Sequence, residues 1–88
     1  MVTLKSSHRL IVRDPRIHGG EPVVHGTRVP VRSIILSLRD DHPGDLPSVA
    51  EAYRIDPAAV EAALAYYRTH TAEIDRFIED HDRVAYDG

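Results

Sequence analysis

The stretch IHGGEPVVHGTRVPV, residues 17–31, places three glycines within eight residues beside two histidines, an arginine and two prolines, ahead of an apolar run. Those residue types suit three chemistries: a glycine loop cradling a phosphate, histidines holding a metal, or a loop closing on a substrate. Spacing decides among them. A phosphate loop needs Gly-x4-Gly-Lys-Ser/Thr, and a dinucleotide loop needs Gly-x-Gly-x-x-Gly between a strand and a helix. Gly19, Gly20 and Gly26 fit neither pattern, and no lysine follows them. They are read as turn residues. The six histidines, His8, His18, His25, His42, His70 and His81, form no His-x3-His or His-Glu-x-x-His pair, so surface histidines are preferred to a metal site. The carboxylates Glu73, Asp75, Glu79, Asp80 and Asp82 crowd one late segment. There a solvated acidic helix face is preferred to an acid/base pair. No enzyme and no cofactor is expected.

The elements that carry these residues can be read from periodicity. Leu10–Val12 before Asp14-Pro15 suits a short strand ended by a turn. Residues 22–29 read as two very short strands about His25-Gly26, with Gly26 supplying positive φ. Pro30 opens a helix whose apolar face is Val31, Ile34, Ile35 and Leu38, spaced i, i+3, i+4, i+7. Residues 40–45, DDHPGD, end it. Asp45 caps a second helix with Leu46, Val49, Ala50 and Tyr53 on one face. Asp56-Pro57 starts a third, with Ile55 and Val60 placed as a hydrophobic staple. No Gly or Pro interrupts residues 58–82, so this helix is predicted to run on to 82 and to fray beyond. Two seven-residue series, Val60-Tyr67-Ile74-His81 and Ala63-His70-Phe77, give it a coiled-coil-like stripe. Thr69 and Thr71 are poor helix formers and mark the place for a kink or restart near 70.

The expected fold is therefore mainly α. A short N-terminal β-hairpin module (9–29) precedes a three-helix, helix-turn-helix core (30–69), and an extended C-terminal helical arm follows (70–82), all in one domain over 1–88. With 88 residues the core must be modest, which favours help from a dimer or another partner. Cysteine is absent and no apolar run approaches bilayer length. A cytoplasmic location without a signal peptide is expected. The net charge of −3 is unevenly divided. Residues 1–40 carry seven Lys/Arg against three Asp/Glu, and residues 41–88 carry four against eleven. The basic half suits nucleic acid and the acidic half repels it.

Gly19, Gly20, Glu21, Pro22, Val23, Val24, His25, Gly26, Thr27, Arg28, Val29, Pro30 and Val31, followed by an apolar helix and then SVAEAYRIDPAAVEAALAYYRTHTAEIDRFI, resemble domain-of-unknown-function family 433. The resemblance spans about residues 9–81, and its Gly-Thr-Arg core is specific. It implies a homeodomain-like helix-turn-helix fold. It also implies the role of a VapB-type antitoxin, whose partner is a PIN-like ribonuclease toxin. Binding of its own promoter DNA as a homodimer is a further expectation.

Two surfaces are candidates for such partners. In a helix-turn-helix the second helix leads into the major groove with its first residues. Here those are Pro57, Ala58, Ala59, Glu61 and Ala62, none of them a usual base reader. DNA binding would fall instead to the basic N-terminal residues Lys5, Arg9, Arg13, Arg16, Arg28 and Arg32, through salt-sensitive phosphate contacts. For Arg28 a bracing role, bonded to backbone carbonyls or to Asp14, is preferred. The last helix offers Tyr66, Tyr67, Ile74, Phe77 and Ile78 as apolar anchors for a partner's groove or a second copy. Residues 57–68 are as well suited to folding back on the first helices, whereas 69–82 favour a partner. Arg68, Arg76 and Arg83 are placed to reach an acidic, metal-binding nuclease cleft. A stand-alone DNA-binding regulator and a non-catalytic dimeric adaptor are the alternatives.

Overall fold

The computed structural model describes the backbone of residues 10–87 and the side chains up to residue 81. Lys5, His8 and Arg9 therefore lie outside the described residues, as does the side chain of Arg83. Among the described residues there are a two-stranded antiparallel sheet and four α-helices, mainly α as expected.

Strand β1 (Ile11–Val12) pairs with β2 (Val23–Val24) in the register Ile11 to Val24 and Val12 to Val23. Residues 22–29 do not form two strands of their own. The chain turns at Gly26 (φ 79°) and returns only far enough for a single bridge between Val23 and Pro30. Thr27 closes that turn: its hydroxyl donates to the Val24 carbonyl (2.8 Å) and accepts the Val29 N–H (3.0 Å). Once the turn is closed internally, the free edge of Val23–Val24 is taken by β1. The apolar side chains of Ile11, Val23 and Val24 are buried.

Helix α1 (Val31–Leu36) follows Pro30, whose extended backbone (φ −76°, ψ 150°) forms its N-terminal cap. The first helical N–H, that of Val31, donates to the Pro22 carbonyl (3.0 Å), so the cap is supplied by the turn region. Val31, Ile34 and Ile35 are buried and Leu38 is half-buried, as the i, i+3, i+4, i+7 spacing predicts. The helix widens into one π-helical turn (Ser37–Asp41) and ends at His42 (φ −135°, ψ 67°), two residues before Gly44 (φ 69°).

Asp45 caps helix α2 (Leu46–Tyr53), accepting the Ser48 N–H at 3.2 Å and the Ser48 hydroxyl at 2.7 Å. These two bonds, the hydroxyl's first, hold the Asp45 carboxyl below the usual aspartate range. Arg54 ends α2 in the left-handed conformation (φ 58°), and the Ile55 N–H reaches back to the Ala50 carbonyl at 3.0 Å. Asp56 then caps helix α3 (Pro57–Thr69) through the Ala58 N–H at 2.9 Å. Ile55 is half-buried against the cluster that holds Val60, as a staple requires. The inward face of α3 is Ala59, Val60, Ala62 and Ala63. Small side chains there let α1 and α2 approach closely.

The helical run from residue 57 is two helices, with the restart at the place that Thr69 and Thr71 mark. Its backbone breaks at His70 (φ −134°, ψ 37°), and α4 (Thr71–Asp87) starts immediately after, running five residues beyond the predicted end. Local side chains cause the break. The Thr69 hydroxyl donates to the Tyr66 carbonyl (3.1 Å), and the Thr71 hydroxyl to that of Tyr67 (2.8 Å). The His70 ring stacks on Tyr66 with centroids 3.9 Å apart. The heptad stripe is consequently not continuous: Val60 and Ile74 are buried, Tyr67 and His70 are half-buried, and His81 is exposed. Helix α4 turns back and packs chiefly on α1. No helix among the described residues is long and apolar enough to cross a membrane.

Candidate interaction surfaces

The residues of the opening stretch mostly hold one another. His18 (φ 50°), Gly19 (φ 65°) and Gly20 (φ 93°) make one turn, Gly26 the other, and the His18 ring Nε2 donates to the Arg28 carbonyl (3.0 Å) to join them. His18 thus meets a backbone oxygen across the turns, while His25 is exposed. Among the described residues no group of three or more metal-type side chains is gathered.

Glu21 is the residue that sequence reasoning missed. Its side chain is only 2% exposed and accepts the Arg32 guanidinium through Nε (2.7 Å) and Nη2 (3.3 Å). The His81 Nε2 of α4 lies 3.9 Å from Oε1, the oxygen that also accepts Arg32 Nη2. A buried carboxylate must be paired, and here the pair ties the glycine turn to α1. The available signal was a lone acid between Gly-Gly and Pro, with one arginine on the helix that follows.

The basic residues expected to face DNA are accordingly divided. Arg32, 11% exposed in its side chain, lies in that ion pair and off the open surface. Arg13 donates to the Tyr66 hydroxyl (2.6 Å) and pairs with Glu73, which also accepts the Tyr66 hydroxyl (3.3 Å). The bond to Glu73 outweighs burial and raises the Arg13 pKa. Burial, ahead of any neighbour, pushes the Tyr66 phenol up. Arg16 is fully in solvent, yet its guanidinium forks onto Asp14 at 3.0 and 3.1 Å and holds that carboxyl below the usual range. Bracing of the loop thus falls to Arg16. The Arg28 side chain is exposed and makes no hydrogen bond among the described residues, although its charge adds slightly to the lowering at Asp14. At the start of α3, Ala59 and Ala62 are buried, and Pro57, Ala58 and Glu61 are exposed.

The residues expected to bind a partner also separate. Ile74 and Ile78 are buried in the protein's own core, because α4 folds back on α1. Tyr67 is half-buried, and its hydroxyl donates to Asp75 (2.8 Å), which raises the phenol's pKa. Arg68 and Arg76 are exposed and Phe77 is half-buried. Ala72, Glu73, Arg76 and Phe77 of α4 line a shallow hollow, and Phe77 also packs against the core cluster.

A family model described as "Protein of unknown function (DUF433)" matches residues 11–67, more than half of the chain. The chain belongs to the DUF433 family. The matched span contains both strands, the glycine-rich turns and α1 to most of α3. In this DUF433 member α4 lies beyond it. No curated protein and no solved structure matches the chain.

Proposed function

We propose that this DUF433 chain is the antitoxin subunit of a type II toxin–antitoxin pair, neutralising a PIN-like ribonuclease by direct binding in the cytoplasm. The observation that supports this best is the outward face of α4. There an exposed arginine, Arg76, stands beside the half-exposed ring of Phe77 at a shallow hollow. Arginine and aromatic side chains dominate the energetics of protein interfaces, and a guanidinium suits an acidic, metal-binding nuclease cleft. With Ile74 and Ile78 in the core, this outward face replaces the apolar anchors expected from sequence. In the same reading α2 and α3 form the helix-turn-helix of a homeodomain-like core. Promoter binding by a homodimer would use the exposed Arg28, whose side chain is held by no carboxylate among the described residues. Pairing of Arg13 and Arg32 with carboxylates weakens the alternative of a stand-alone DNA-binding regulator, since phosphate must then compete with Glu73 and Glu21.

Co-expression with the product of the adjacent gene tests the proposal. A co-purifying complex with suppressed ribonuclease activity is the expected result. Two proteins that separate, with the nuclease fully active, would refute it.

A further inference from the structure

We infer that α4 opens from the body as a unit, hinged at His70, and that the segment from Arg13 to Glu21 is its clasp. Four observations converge. The backbone leaves helical geometry at His70 and resumes it at once, so α4 is joined to α3 through a single non-helical residue. Of the buried apolar cluster, α4 supplies Ile74 and Ile78, while Ile11, Val24, α1, α2 and α3 supply the rest and pack on each other without it. Polar side chains of α4 meet the N-terminal module at two points: Glu73 pairs with Arg13 near the hinge, and His81 approaches Glu21 to 3.9 Å two turns later. The family match ends at residue 67, so the body shared with the family stops just before the hinge.

The buried charge makes this opening feasible. Glu21 keeps its short bonds to Arg32 of α1 when α4 leaves, so no buried ion is orphaned. What opening uncovers is apolar, namely Ile74 and Ile78 and the α1 surface beneath them. The docked helix therefore masks an apolar stripe that the outward face does not offer. Local opening of this kind has its own free energy, lower than that of global unfolding. In the docked form the Tyr67 hydroxyl also bonds Asp75 across the hinge.

Native-state hydrogen exchange on the full-length chain tests this without any partner. The α4 amides are expected to exchange faster than the most protected amides of α1 and α3. In Arg13→Ala, and independently in the shape-conserving Glu73→Gln, α4 exchange is expected to rise about five-fold, the order of one half-exposed ion pair, with α1 to α3 unchanged. Exchange of α4 in step with α1 to α3, or no response of α4 to either variant, would overturn the inference. Failure of nuclease binding would leave it standing, since the opening belongs to the free chain.

Discussion

The glycine-rich module and α4 hold most of the side chains whose chemistry stands out in this sequence, and they use them in opposite ways. The module turns charge inward: Glu21 and Arg32 form a buried pair, and the exposed Arg16 is occupied by Asp14. Helix α4 turns its apolar residues Ile74 and Ile78 inward, leaves Arg76 and Glu79 exposed, and holds Phe77 half-buried between them. A polar, glycine-rich loop therefore acts as scaffold, while an ordinary amphipathic helix carries the better candidate surface.

The sharpest way to break this contrast is Glu21→Ala. Removing one partner of a buried pair leaves the other charge uncompensated, and a loss of about 3–5 kcal/mol in urea unfolding is expected. A loss below 1 kcal/mol would mean that the module is not held by its charges. Next is Ile74→Ala, which opens a cavity where α4 meets α1. It is expected to cost about 3 kcal/mol, near the middle of the range for such truncations. Calorimetry showing no change would return Ile74 to the role of a surface anchor. Asp56→Ala removes the cap of α3 and is expected to cost about 1 kcal/mol by thermal melting.

Asp45 adds a dependence on pH. Its carboxyl is held low in the folded chain by Ser48, so its contribution is complete above the ordinary aspartate range and is lost as pH falls through and below that range. Asp45→Asn keeps a capping oxygen but cannot titrate. Its acid unfolding curve is expected to be flatter than that of the wild type between about pH 5 and 2, and identical curves would contradict the assignment. Arg28→Ala, at the small end, is expected to leave the melting temperature unchanged, because that side chain bonds to nothing among the described residues.

How much of this was legible beforehand depended on how local the cause was. The caps at Asp45 and Asp56, the apolar face of α1 and the turn at Gly26 follow from neighbours within a few residues, and the structure has them as read. The break at His70 was legible only as a weak spot, since it depends on two threonine hydroxyls and a stacked ring acting on the same pair of carbonyls. The strand partner of β1 and the Glu21–Arg32 pair were not legible. Each joins segments about ten residues apart whose approach is set by the turn geometry between them. The placement of Ile74 and Ile78 failed for the same reason: once α3 stops at residue 69, the phase of the helix resets and α4 folds onto α1.

The most direct test of the contrast is to titrate the proposed nuclease partner with two variants side by side. Arg76→Ala, Phe77→Ala alters the outward face of α4, and Arg28→Ala alters the glycine-rich module. The α4 double variant is expected to inhibit the ribonuclease about a hundred-fold more weakly than wild type, the scale of two interface hot spots, while Arg28→Ala inhibits as wild type does. Full inhibition by the α4 variant together with loss in Arg28→Ala would contradict it and return the binding role to the glycine-rich loop.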